Sequence, residues 1–180
     1  MKYINSKRFA IFIAVTALVF LNSFSFAEAS EINTQNLLSL INKQREAENL
    51  TPLKENQSLD NAANLKAKDM INRNYFEHYA YGLTPWDFIR LSGYSYLYAG
   101  ENLAMDFNTA EGMVNAWMKS QKHRDNIMNP DYANIGFGIV KGTYTENGAQ
   151  HETIMVSNMF GREKPGIYKF FEMLSKSISF

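Results

Sequence analysis

The chain has 180 residues, enough for one domain with short appendages, and it carries 18 basic residues, 18 acidic residues, three histidines and no cysteine. The lack of cysteine excludes Cys-x-x-Cys zinc sites, thiol catalysis and disulfide bonds. The charge is balanced and no segment forms a basic stripe, which excludes a nucleic-acid partner bound through phosphate contacts.

The first 29 residues have the pattern of a secretory signal peptide. Lys2, Lys7 and Arg8 precede the apolar run 9–21, and the small-x-small sequence AEA follows at 27–29. The apolar run is shorter than the roughly 20 residues of a membrane-spanning helix, although a retained N-terminal anchor is the alternative. We therefore predict an exported protein that is either secreted or located in the periplasm or cell envelope. Its mature chain is expected to begin near Ser30.

Residues 1–29 contain three of the 18 basic residues and one of the 18 acidic ones. Their removal leaves 15 basic and 17 acidic residues, so the mature chain has a net charge near −2. A mature chain of this size can bury a sizeable core without covalent cross-links.

Apolar residues at helical spacing predict four helices in chain order. The first covers 34–48, and the second and clearest covers 58–74. The third begins at Pro85 with Thr84 as its N-cap and ends at Gly93. The fourth covers about 108–120, with Asn108 or Thr109 as its cap. The aromatic segment 75–82 between the second and third helices is predicted to be an irregular loop.

Two apolar runs rich in β-branched and aromatic residues follow, at 135–144 and 151–160. Asn147-Gly148 lies between them, so they are predicted to form an antiparallel hairpin. Gly136 and Gly138 suit a strand that another backbone approaches closely. Helices first and strands last indicate an α+β fold, with a small sheet covered by helices.

The last segment, 162–180, is predicted to be separate from the domain. Ile167, Phe170, Phe171 and Leu174 share one helical face, which indicates an amphipathic helix. Such a helix either packs on its own domain or makes peripheral contact with a membrane surface, and the sequence leaves both open.

The three histidines, His78, His123 and His151, are the candidates for chemistry. Two histidines and one carboxylate can hold zinc with a position open for water, but linear spacing does not show that they meet. His151 lacks the second histidine of a zincin motif and is interpreted as part of an exposed strand end. Ser120 lies three residues before His123, the spacing of a shared helical face, but no orienting group or oxyanion hole for a Ser–His pair is recognisable.

Five segments in order carry a family resemblance: "YFEH", "GENLA", "W-x-x-S-x-x-HR-x-NI", "Y-x-x-IGFG" and "NMFG". Together they resemble the CAP superfamily of cysteine-rich secretory proteins, antigen 5 and pathogenesis-related 1 proteins (SCP-like), in its bacterial single-domain branch. The resemblance covers about 36–161, and we assign 30–161 to the domain. It implies an α–β–α sandwich with a three-stranded antiparallel sheet between helical layers, and a third strand around 96–104.

The resemblance also implies a cleft lined by two histidines and two glutamates. His78, Glu101 and His123 match three of these positions, but Ser120 stands where the second glutamate is expected. The expected binding cleft therefore comprises His78, Glu101, His123 and Ser120, with His78, His123 and Glu101 as ligands for zinc or another divalent cation.

Two functions fit this expectation. The favoured one is an extracellular binding or interaction module without turnover, whose ligand is a divalent metal, a lipid, a peptide or a protein. The alternative is a metal-dependent extracellular peptidase in which Glu101 is a third ligand or activates water. Ser120 in place of a second carboxylate counts against the peptidase.

Overall fold

The computed structural model describes residues 30–166. Within that range, nine helices and strands follow one another in the order α1 Thr34–Ala47, β1 Lys54–Glu55, α2 Gln57–Arg73, α3 Pro85–Leu91, β2 Tyr96–Ala104, α4 Ala110–Lys119, α5 Gln121–Ile127, β3 Asn134–Glu146 and β4 Ala149–Glu163. The α+β class is confirmed, and the strand expected around 96–104 is β2.

The sheet has four strands in the order β1-β3-β4-β2. The predicted three-stranded antiparallel sheet is wrong in this detail, because β1 adds a fourth strand and pairs parallel to β3 through Lys54 and Glu55. The other two pairings, β2 with β4 and β3 with β4, are antiparallel as expected. A strand of two residues is too short to show any periodicity in the sequence.

Helices cover both faces of the sheet because successive β4 side chains point to opposite sides. Val156 and Phe160 pack in one core cluster with α1 and α4. Met155 and Met159 pack on the other side, in clusters with α2 and α3. The arrangement is an α–β–α sandwich.

Local chemistry explains where the elements begin and turn. Thr109 is the N-cap of α4, and its hydroxyl accepts from the Gly112 N–H at 3.0 Å. Asn147 and Gly148 both have positive φ, 51° and 81°, and form the two-residue turn between β3 and β4. The predicted hairpin is confirmed.

The backbones of β3 and α2 lie in direct contact. A Cβ atom added at Gly138 would lie 2.1 Å from the Ala63 carbonyl carbon, and one at Gly136 would lie 2.3 Å from that of Leu59. Only glycine allows this approach, as the sequence predicts for both positions. The contact fixes α2, whose C-terminal end leads into the loop that carries His78.

No helix among residues 30–166 is long and apolar enough to cross a membrane. The predicted signal peptide, 1–29, lies outside the described residues, and so does the predicted helical face that begins at Ile167. Both stay predictions.

Candidate functional site

Glu101 is a buried acid on β2, only 5% exposed, and both of its carboxylate oxygens have partners. The Ser157 hydroxyl on β4 donates to Oε1 at 3.1 Å. The Nδ1 atom of His78 lies 2.7 Å from Oε2. The acid is therefore accommodated on this strand because two polar side chains meet it there, which offsets the cost of burial.

The contact with Glu101 orients the His78 ring. A carboxylate can only accept hydrogen bonds, so Nδ1 carries the proton and donates it. Whenever the ring is neutral, Nε2 is then its free acceptor or metal-binding atom. The His78 side chain is 43% exposed, so its open nitrogen is accessible to a ligand.

A fully buried lysine lies beneath this pair. Lys66 Nζ donates to the main-chain carbonyls of Glu77 at 2.7 Å and His78 at 3.1 Å, and so holds the backbone of the His78 loop. Burial lowers the pKa of Lys66, while the negative charge of Glu101 acts in the opposite direction. Lys66 is therefore a positioning residue with a charge that offsets that of Glu101.

Neither Lys66 nor Ser157 was among the predicted site residues. A signal for Lys66 exists in the sequence, because it lies at helical spacing with Ala62, Ala63 and Met70 on the apolar face of α2. A charge in that stripe indicates a buried, paired group. Ser157 has no such signal, since it lies in an unbroken run of buried residues, 155–161, on β4.

His123 is presented by a short helix that the sequence did not predict separately. The chain leaves helical geometry at Ser120, with φ −89° and ψ 117°, so α4 ends there and α5 begins. The shared helical face proposed for Ser120 and His123 therefore does not exist, and no hydrogen bond between them occurs in the described residues. Burial lowers the pKa of His123, and the positive charge of His78 lowers it further. The two rings therefore interact electrostatically.

Two amides, the buried Asn102 and the half-buried Asn126, fix α5 to β2. Asn102, which is fully buried, donates through Nδ2 to the His123 carbonyl at 3.0 Å. Asn126 Nδ2 donates to the Glu101 carbonyl at 3.0 Å and to Asn102 Oδ1 at 2.8 Å. This network places His123 next to Glu101 along the edge strand of the sheet.

The far end of α5 is held by α1. The guanidinium of Arg45, a fully buried residue, donates to the carbonyls of Ile127 at 2.6 Å and Asn129 at 2.9 Å. Its Nε also donates to the carbonyl of Thr51 at 2.9 Å. A cation at a helix C-terminus satisfies carbonyls that lack a partner within the helix.

These elements enclose a cleft of about 420 Å³ between the His78 loop and α5. All four predicted site residues line it, together with Tyr79, Pro85, Trp86, Ala99, Gly100, Lys122 and Asn126. His151 lies elsewhere, on β4, where Nε2 is 3.1 Å from Asp106 Oδ1 beside a different cleft of about 390 Å³.

Two imidazoles and one carboxylate line the cleft, and side chains of these kinds are common ligands of divalent cations. Among residues 30–166, no group of three His, Cys, Asp or Glu side chains is placed to hold one metal ion. Glu101 lies behind His78 with both oxygens engaged, which is the position of a carboxylate that orients a metal-binding histidine. Metal binding by His78, His123 and Glu101 therefore stays a prediction, in which Glu101 already accepts a hydrogen bond from His78.

The profile of the cysteine-rich secretory protein family (CAP) matches residues 38–159. The chain belongs to this family. Two curated relatives from Bacillus subtilis, the uncharacterized protein YkwD and the uncharacterized membrane protein YlbC, are 41% and 31% identical to the CAP chain over 107 and 113 residues. Those alignments cover 58% and 62% of this chain but only 41% and 32% of the relatives.

Solved structures agree with the CAP assignment. An extracellular protein from Bacillus anthracis that contains an SCP domain matches with a TM-score of 0.61 and 26% identity, over 72% of this chain and 40% of that protein. An outer surface protein of Borrelia burgdorferi matches with a TM-score of 0.61 and 25% identity, over 76% of this chain and all of that protein. Both neighbours are extracellular or outer-surface proteins by their descriptions.

Proposed function

We propose that the protein is an exported CAP-domain binding module whose cleft holds a ligand between His78 and His123 without chemical turnover. The observation that carries the proposal is the double engagement of the buried Glu101 by Ser157 and His78. It leaves imidazole nitrogens, rather than a carboxylate, as the groups open to a ligand. The leader-like residues 1–29 and the extracellular neighbours support export.

The engagement of Glu101 also argues for binding over peptidase chemistry. A carboxylate that activates water must reach that water with a free oxygen, within about 3 Å. Both oxygens of Glu101 already accept hydrogen bonds, and Ser120 offers no second carboxylate in the cleft. The alternative peptidase would therefore have to use an imidazole as its general base, because Glu101 is the one carboxylate that lines the cleft and each of its oxygens already has a partner.

The first ligand to test is a divalent cation such as zinc. His78 and His123 would hold it, and Glu101 would fix the tautomer of His78. Tyr79, Trp86 and Ala99 supply an apolar wall beside the two rings, which suits a peptide side chain or a lipid chain. When bound, the cation would present a Lewis-acidic centre to a ligand's polar group.

Calorimetric titration with zinc tests the proposal on wild type and on single alanine variants of the three histidines. We expect one-to-one binding that is lost in His78→Ala and in His123→Ala but kept in His151→Ala, the matched control outside the cleft. Equal binding by all four proteins would contradict the site. Chelator-sensitive cleavage of a peptide library by wild type, absent in His78→Ala, would instead support the peptidase.

A further inference from the structure

Ser30, the first residue that the structure describes, is tied to the first turn of α4. Its main-chain N–H donates to Glu111 Oε2 at 3.1 Å, and its hydroxyl donates to the other oxygen of the same carboxylate. Its carbonyl accepts from the Ala110 N–H at 3.0 Å, a helix-terminal donor that has no partner within α4. All of its hydrogen-bonding groups are thus used.

Core packing reaches close to this residue in the described range. Ile32, two residues further on, is 6% exposed and belongs to the core cluster that contains α1 and α4. In the sequence, Ser30 directly follows the AEA segment at 27–29. A signal peptidase cuts after the second small residue of such a segment. The predicted cleavage point therefore lies just before Ile32, a buried residue of the core.

We propose that a signal peptidase hydrolyses the peptide bond between Ala29 and Ser30, and that the new α-ammonium group of Ser30 forms an ion pair with Glu111. Water adds across the bond, so that Ala29 leaves with a carboxylate and the Ser30 nitrogen gains protons. An α-amino group has a pKa of about 8, so it is a cation at neutral pH. The proposal rests on the export part of the proposed function.

Cleavage strengthens a contact that the uncut chain already makes. Before cleavage, the donor to Glu111 is a neutral amide with one hydrogen. Afterwards, it is a cation with three, and hydrogen bonds between charged partners are roughly twice as strong as neutral ones. The Ser30 hydroxyl already holds the pKa of Glu111 below its usual value, so the carboxylate is ionised at neutral pH. Processing thus completes the anchor of the N-terminal segment on α4.

The first measurement is the intact mass of the protein that is secreted from the full-length chain. We expect a mature chain that begins at Ser30. A chain that is exported and cut at another bond would overturn this inference and leave export intact. A chain that is neither cut nor exported would overturn export, and with it that part of the proposed function.

The second measurement isolates the charge of the new terminus at pH 6.5, where the amino group is protonated. One glycine is inserted between Ala29 and Ser30, so that after cleavage the Ser30 nitrogen is an amide again. Glu111→Gln is then made with and without the insertion. We expect Glu111→Gln to lower Tm by about 2–4 °C more in the chain that begins at Ser30 than in the extended one. Equal losses in both chains would overturn the ion pair.

Discussion

Ser157 and Glu101 lie on neighbouring strands, and the hydroxyl of Ser157 donates to Glu101 Oε1 at 3.1 Å in the protein interior. With His78 on the other oxygen, the carboxylate bridges the sheet and the loop above it. Glu101 therefore orients His78, and in the proposed site the other ring nitrogen of His78 is the one that meets the ligand.

Replacement of Glu101 should weaken the cleft in two measurable ways. In Glu101→Gln, an NH₂ group replaces one of the two carboxylate oxygens, so either His78 or Ser157 loses its acceptor. We therefore expect the free energy of unfolding to fall by about 1–3 kcal/mol in urea titrations. Zinc affinity should fall by about 10- to 100-fold in calorimetry, because His78 loses its orienting charge. Glu146→Gln on the exposed part of β3 is the control. Unchanged affinity in a folded Glu101→Gln protein would remove the positioning role.

Lys66 should be needed for both stability and binding. Lys66→Met keeps the length of the side chain but leaves two carbonyls without their donor and Glu101 without its counter-charge. We expect a loss of about 3 kcal/mol in the free energy of unfolding and weaker zinc binding. The control is Lys68→Met, an exposed lysine on the same helix, which should stay within about 0.5 kcal/mol of wild type. Similar values for the two variants would contradict the assignment.

Asp60 should make stability depend on pH. Its Oδ1 accepts from the Phe137 N–H at 2.8 Å, and burial, partly opposed by that bond, raises the pKa of the carboxyl from 3.8 to about 6. The folded state thus binds the proton more tightly than the unfolded state. The stabilisation is complete below pH 3.8 and is lost as the pH rises through 6.

Asp60→Asn tests that dependence, because asparagine can still accept from Phe137 but does not titrate. As the pH rises from 5 to 7.5, wild type should lose about 1 kcal/mol of unfolding free energy relative to the variant. Denaturant titrations at the two pH values measure it. A difference that stays constant, or moves in favour of wild type, would contradict the raised pKa.

His123 should titrate below its usual value of 6.5, since burial lowers its pKa and the charge of His78 adds to the effect. A proton NMR titration of the ring resonances measures this directly. In His78→Ala the midpoint should rise but stay below 6.5, because burial is the larger cause. A midpoint of His123 that does not respond to His78 would mean that the two rings do not interact across the cleft.

Much of the fold was predictable because its signals are local. The cap at Thr109, the proline at the start of α3 and the Asn147-Gly148 turn each determine a boundary within a few residues. The place of β2 came from the family resemblance, since its mixture of small, apolar and charged residues has no period. The strand β1 has two residues and exists only because Lys54 and Glu55 meet β3.

The site was predictable in its residues but not in its arrangement. Motif order identified His78, Glu101 and His123, yet which atom of Glu101 meets which partner depends on the register between β2 and β4. Ser157 lies opposite Leu103 in that register and reaches Glu101 diagonally. No local pattern around Ser157 contains that information, because register is decided by residues more than fifty positions apart.

The helix that carries His123 has seven residues, fewer than an isolated helix needs to persist in water. Its order depends on Asn102 near its middle and on Arg45 at its end, and the second of these belongs to α1, outside the cleft. A transient opening of α5 would carry one imidazole away from the other while the sheet stays intact. For a ligand held as proposed between His78 and His123, release of the Arg45 contacts would then shorten its dwell time, although Arg45 does not line the cleft.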